Sequence, residues 1–228
     1  MAAEVDPSGL VSDRPLLGRT STAERVADIL RTRIAEGYLS PGTKLSEDAI
    51  GEALGISRNT LREAFRLLTH ERLLVHELNR GVFVRVLTVY DVKDIFRVRR
   101  LIECAAVRNL GVPPYDLTSA AASVAEGERA AAEGAWRDLG TANIHFHRAI
   151  ITLTRSPRLD DLMSGLLAEL RLVFHAMENP REFHEPYLAR NREILAALEA
   201  ADRVKAELLL ASYLDDAETE LVRSYSER

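Results

Sequence analysis

The stretch that decides the fold is "GISRNTLREAFRLL", residues 55–68. Leu61, Ala64, Phe65 and Leu68 fall at i, i+3, i+4 and i+7, one apolar face of a helix. Arg58, Arg62 and Arg66 recur every four residues along another face, with Asn59 and Thr60 in its leading turn. Ser57 has the side chain that caps such a helix, and Gly55 reaches at low cost the left-handed backbone that ends the helix before it. A helix fits the major groove of DNA, where arginine pairs with guanine through two hydrogen bonds and asparagine does the same with adenine. Arg58, Asn59, Thr60 and Arg62 are therefore expected at base edges or phosphates, and Arg66, two turns in, at a phosphate, where it adds affinity without sequence information. The competing reading is a solvated arginine face paired with Glu63 and Glu71, each pair contributing about 0.3–0.5 kcal/mol. The flanking sequence favours DNA.

Upstream, Ser46 caps a short helix, Leu45 and Ile50 are placed to staple its entry, and Ala49, Ile50, Ala53 and Leu54 are expected to be its buried stripe. Before it, Ser21 and Glu24 form a capping box for a first helix running to about Glu36 through Val26, Ile29, Leu30 and Ile34. Pro41 and Gly42 turn the chain between the two. Downstream, "LLVHELNRGVFVRV" (residues 73–86) changes to a period of two on either side of Asn79-Arg80-Gly81, which reads as a β-hairpin with Arg80 at its tip. A cation there suits the minor groove or a phosphate.

From Thr88 onward the pattern is helical, with helices expected near 89–110, 116–133, 135–154, 157–177, 186–200 and 203–226, and breaks at Pro113-Pro114, Gly134, Pro157, Pro180, Pro186 and Asp202. The fold class is mainly α: a winged helix-turn-helix of three helices plus a hairpin, then an all-helical antiparallel bundle of about six helices. Residues 1–20 lack apolar periodicity and read as a flexible arm, 21–87 as the DNA-binding unit, and 88–228 as a second domain. The length of 228 residues suits one small domain and one of ordinary size. With 46% hydrophobic and 29% charged residues, the composition excludes an intrinsically disordered chain. Apolar runs such as Leu208 to Ala211 are far too short to span a bilayer and no signal peptide pattern opens the chain, so a cytoplasmic protein without a membrane partner is expected. The single cysteine, Cys104, allows no internal disulfide and no cysteine zinc cluster, and it sits among Leu101, Ile102, Ala105 and Val107 as an inert buried thiol would. The net charge of −5 is unevenly spread: residues 58–85 hold six arginines against three acids, whereas the part from Thr88 holds 18 basic against 23 acidic residues.

"LSEDAIGEALGISRNTLREAFRLLTHERLL" followed by "NRGVFV" resembles the winged helix-turn-helix of GntR-type bacterial transcription regulators over residues 21–87. By that resemblance Arg58, Thr60 and Arg62 sit at base- and phosphate-contacting positions and Arg80 and Gly81 lie in the wing. Asp48 stands where some relatives carry a basic phosphate contact. "DIFRVRRLIECAAVRNL", "NIHFHRAI" and "RNREILAALEAADRVKAELLLASYL" resemble the FCD (FadR C-terminal) effector domain over residues 88–226. That domain is a helical bundle which commonly forms a homodimer and binds a small molecule.

Many FCD domains hold a metal on an Asp-x-x-x-His pair and two later histidines, and such a set suits zinc or nickel. Here Asn143 replaces the aspartate, His147 is retained, and Asn191 and Tyr213 replace the two later histidines. No cofactor is assigned; a metal on His147 with Asn143 is the minor alternative, because neutral Asn and Tyr bind such ions poorly. Arg99 and Glu103 fall at the family's usual Arg and Glu positions. The resemblance thus implies an effector site of Arg99, Glu103, Asn143, His147, Asn191 and Tyr213, taking a small carboxylate on Arg99; the alternative is a structural Arg99–Glu103 pair without ligand. His145 faces elsewhere, and His70, His76, His175 and His184 receive no role.

The expected function is a dimeric, ligand-responsive regulator, commonly a repressor, on a near-palindromic double-stranded DNA operator. Two alternatives are a metal-sensing FCD regulator and a helical-pocket enzyme using His147. The enzyme reading lacks a nucleophile with a base and orienter, a phosphate loop or an acidic pair, and it leaves the basic helix unexplained.

Overall fold

The computed structural model describes residues 21–175, 177 and 179–226; the expected arm of residues 1–20 lies outside them. Helix α1 (Thr22–Ala35) opens on the expected capping box, in which the Glu24 amide donates to Ser21 Oγ (3.0 Å) and the Ser21 amide to Glu24 Oε2 (2.6 Å). Its buried stripe is Ala23, Val26, Ala27, Leu30 and Ile34; Ile29, expected inside, is exposed. A short strand β1 (Lys44–Leu45) precedes α2 (Glu47–Leu54), which ends at Gly55 with φ +63°. The stripe expected on α2 is corrected: Gly51 is its buried residue, Ile50 is half-buried, and Ala49, Ala53 and Leu54 face outward. A helix of eight residues has little more than two turns, and α3 is the element it packs against, so few of its positions are covered.

Helix α3 (Arg58–His70) buries Leu61, Ala64, Phe65 and Leu68, the four positions read from the sequence. Strands β2 (Leu74–Glu77) and β3 (Gly81–Val84) form the expected hairpin, paired antiparallel from Leu74↔Val84 to Glu77↔Gly81. Strand β1 adds to the free edge of β3 through Lys44↔Phe83 and Leu45↔Val82, so the sheet order is β1-β3-β2. Two residues between a proline-glycine turn and a helix cap carry no alternation, which is why this strand is silent in the sequence.

The remainder is helical: α4 (Val89–Arg99), a π-helical turn (Arg100–Cys104), α5 (Ala105–Arg108), α6 (Thr118–Ala132), α7 (Trp136–Thr152), α8 (Pro157–His175), α9 (Pro180–Glu199) and α10 (Arg203–Ser226). Helices α7, α9, α10 and α4 pack in succession, and α6 lies across α7 and α9. Pro186, expected to begin a helix, lies inside α9, which instead starts with Asn179 as cap and Pro180 in its first turn. An interior proline costs about 3 kcal/mol, but Phe183, His184, Tyr187 and Leu188 around it are all buried, and each fully buried large side chain contributes about 1.5–3 kcal/mol. Burial wins and the helix runs through. Among the described residues no helix is long and apolar enough to cross a membrane.

Helix α8 joins the two halves. Arg171 Nε and His175 Nε2 both reach the Ala35 carbonyl at the end of α1 (2.5 and 2.7 Å). On the same helix Glu169 accepts from Arg85, next to β3, at 3.0 Å, and Arg85 also bonds Asp91 of α4 at 2.5 Å.

Candidate DNA interface and buried polar cluster

The arginine face of α3 points outward. Arg58 pairs with Asp48 (2.9 Å), Arg62 with Glu47 (2.9 Å) and Arg66 with Glu63 (3.1 Å), yet these arginine side chains remain 58–79% exposed. Exposed pairs contribute about 0–1 kcal/mol, so phosphates can displace them. Glu71, a partner for this face only in the competing solvated-face reading, takes two hydrogen bonds from Arg31 of α1 (2.6 and 2.7 Å) and ties α1 to the end of α3. Ser57 Oγ accepts the Thr60 amide (3.2 Å) and shares a hydrogen bond with the Thr60 hydroxyl (2.9 Å), which fixes the leading turn; Asn59 is exposed beside it. In the wing, Arg80 pairs with Glu77 and lies 5.3 Å over the Phe83 ring. Asn79 and Gly81 take φ +61° and +110°, so the tight tip needs the freedom of asparagine and glycine. Lys44 of β1 is exposed and stands beside Gly81, a cation of the wing that the sequence reading missed because β1 gives no pattern.

The second site is inside the bundle, and it brings together all six expected residues. Arg99 immediately precedes the π-helical turn and Glu103 lies within it, a widened turn of a kind that often marks functional sites. Arg99 Nε donates to Glu103 Oε1 (2.7 Å), and Glu103 Oε2 lies 2.6 Å from His147 Nδ1. The His147 ring sits 4.8 Å from that of Tyr213, edge to face. The Tyr213 hydroxyl donates to Asn143 Oδ1 (2.8 Å), as does Asn191 Nδ2 (2.8 Å). Arg99, Glu103, His147, Asn191 and Tyr213 are each at most 3% exposed and Asn143 7%.

Burial alone would raise the Glu103 carboxyl, but the Arg99 charge, helped by His147, outweighs it and holds the group below the usual carboxylate range. Burial pushes the His147 imidazole the other way, toward the neutral form, against the pull of Glu103. Glu103 is thus ionised, accepts only, and requires the proton of neutral His147 on Nδ1. Burial also pushes the Tyr213 hydroxyl up, so it keeps its proton, and raises the Cys104 thiol to about 11, as expected of an inert thiol. Three atoms of the cluster are buried without a hydrogen-bond partner: Arg99 Nη2, His147 Nε2 and Asn191 Oδ1.

A zinc or nickel ion does not fit these residues. Asn143 Oδ1 already takes two hydrogen bonds, Asn191 and Tyr213 are neutral, and among the described residues no group of three or more His, Cys, Asp or Glu is placed to share an ion. A groove of about 1000 Å³ opens elsewhere, bounded by Leu101, Asn109, Tyr115, Asp116, Thr152 and Arg155, and it contains none of the six residues. The unpartnered buried groups, not that groove, identify the polar site. His145 pairs on the surface with Glu126 (2.8 Å). His184, given no role from sequence, is buried against Phe174 and Phe183, lacks a partner for Nδ1, and is pushed down to about 4 by burial.

An exposed arginine helix beside a small winged sheet, joined to a helical bundle with a buried polar centre, is what the structure presents, and both parts of the chain match known families. Residues 22–84 match the bacterial regulatory proteins of the gntR family, and residues 94–216 match the FCD domain. The chain belongs to the GntR family, with an FCD domain. A GntR transcriptional regulator from Rhodococcus sp. RHA1, solved by structural genomics, is 46% identical, with a TM-score of 0.87 over 90% of this chain and 100% of that one. Escherichia coli McbR/YncC is 25% identical, with a TM-score of 0.75 over 91% of this chain and 100% of that one. A protein of Paenarthrobacter nicotinovorans described as the D-xylose utilization operon transcriptional repressor is 29% identical over 199 residues, which is 87% of this chain and 88% of that protein. The gluconate operon transcriptional repressor of Bacillus subtilis is 36% identical over 99 residues, 43% of this chain and 40% of that protein. The GntR family consists of bacterial regulatory proteins, and the Rhodococcus, Paenarthrobacter and Bacillus relatives are transcriptional regulators or repressors, not enzymes; this chain is a regulator of the same repressor type.

Proposed function

We propose that this GntR regulator is a cytoplasmic homodimer that represses transcription from a near-palindromic operator and is released by a small molecule. Residues 21–87 act as the DNA-binding head and residues 88–228 as the dimerising effector domain. Two α3 helices enter successive major grooves. Arg58, Asn59, Thr60 and Arg62 meet base edges and phosphates, Arg66 a phosphate, and Arg80, presented by Gly81, the wing's contact. The observation that carries this reading is the outward arginine face of α3, held only by exposed ion pairs. The effector site is the cluster of Arg99, Glu103, Asn143, His147, Asn191 and Tyr213. A carboxylate is the ligand that the sequence brings to mind for Arg99; the guanidinium Nε is already given to Glu103, so such an acid has Nη2 to bind. Occupation is transmitted to the heads through α8, whose Arg171, His175 and Glu169 grip the end of α1 and Arg85.

The test is a gel shift with a palindromic sequence from upstream of the protein's own gene. Arg62→Ala is expected to lose about 1–3 kcal/mol of specific binding, roughly 5- to 150-fold, with the dimer intact by light scattering. Unchanged affinity overturns the reading.

A further inference from the structure

The proposed effector site carries a hydrogen-bonding polarity that narrows what can fill it, and this step rests on the reading just given. Glu103 is a carboxylate whose oxygens face Arg99 Nε and His147 Nδ1, so His147 holds its proton on Nδ1 and keeps a bare, buried lone pair on Nε2. The Tyr213 hydroxyl is buried and must donate; its contact is Asn143, which therefore presents oxygen to it. The same oxygen takes Asn191 Nδ2, which leaves Asn191 Oδ1 without a donor. The unpartnered atoms are thus two acceptors, His147 Nε2 and Asn191 Oδ1, and one donor, Arg99 Nη2. The charge is already balanced, because the Arg99 cation is paired with the Glu103 anion.

We infer that the site takes a neutral hydroxyl-bearing ligand, an alcohol or polyol, whose O–H groups donate to His147 Nε2 and Asn191 Oδ1 while an oxygen accepts from Arg99 Nη2. A carboxylate has no proton to give, so whatever it took from the Arg99 Nη2 hydrogens it would leave His147 Nε2 and Asn191 Oδ1 without donors and set its own oxygens against their lone pairs. An ammonium group would satisfy the acceptors but add an uncompensated cation beside Arg99. A hydroxyl is at once donor and acceptor and brings no charge.

The full chain is tested by thermal shift against matched pairs that differ in an alcohol or an acid: 1,2-propanediol and lactate, glycerol and glycerate, xylitol and xylonate. Stabilisation by the alcohol of a pair and not by its acid, lost in a folded His147→Phe variant, is the expected result. Equal or greater stabilisation by the acids overturns the ligand class and leaves the regulator with an effector site. No stabilisation by either member of any pair overturns this inference and leaves the regulator reading, which rests on the α3 arginines, to its own gel-shift test. A measurement independent of any ligand or variant is the ¹⁵N spectrum of the imidazoles: neutral His147 with its proton on Nδ1 is expected, and a proton on Nε2 overturns the proposal.

Discussion

Replacing Glu103 by leucine removes one half of a buried ion pair and leaves the other half inside. Arg99 is 2% exposed and Glu103 fully buried, and among the described residues the guanidinium pairs with no other carboxylate. Breaking such a pair costs about 3–5 kcal/mol, because the remaining charge is neither paired nor hydrated. Native stability is only about 5–15 kcal/mol, so the loss is a large share of it. At about 2–4 °C per kcal/mol for a chain of this size, Glu103→Leu is expected to lower Tm by roughly 6–20 °C. Adding Arg99→Met removes the stranded charge. What then remains is the His147 Nδ1–H without its acceptor, worth about 1–3 kcal/mol, so the double variant is expected to melt above the single one. Differential scanning calorimetry of the full chain near pH 7, at one fixed protein concentration, measures both. A drop below about 3 °C for Glu103→Leu, or a double variant no more stable than the single, refutes the reasoning: it would mean that water reaches the pair and screens it.

Stability is also expected to fall as the pH is lowered from about 6.5 toward 4. His184 is pushed down to about 4, so the unfolded chain takes up its proton first; at about 1.36 kcal/mol per pH unit the loss reaches on the order of 3 kcal/mol. His147 and His175, both lowered chiefly by burial, act in the same direction, whereas Glu169, raised by burial, opposes them over a lower range. Urea midpoints that stay flat between pH 7 and 5 would contradict this, and His184→Leu should flatten the profile. Gly55 holds φ +63° with open space around its Cβ position, so Gly55→Ala meets strain alone. A loss of about 1–2 kcal/mol is expected, read as a lower Tm, with a smaller loss for Gly55→Asn; an unchanged melting point would show that the turn relaxes freely.

The sequence by itself determined what short-range periodicity and capping dictate. Ser21, Ser46 and Ser57 cap three helices, Gly55 turns the chain, Leu61, Ala64, Phe65 and Leu68 face inward, and the arginines are left outside. It also placed Arg99, Glu103, Asn143, His147, Asn191 and Tyr213 in one site, because the resemblance supplied their register. Only the tertiary structure decided what these groups do to one another. The partner of His147 lies 44 residues away in the chain and that of Tyr213 70 residues away. No local pattern tells which oxygen or nitrogen is left bare. The same holds for Pro186 inside α9, for the edge strand β1, and for α8 gripping Ala35. In each case packing against distant elements outweighs a weak local preference, since local propensities are worth tenths to a few kcal/mol while each buried side chain contributes about 1.5–3.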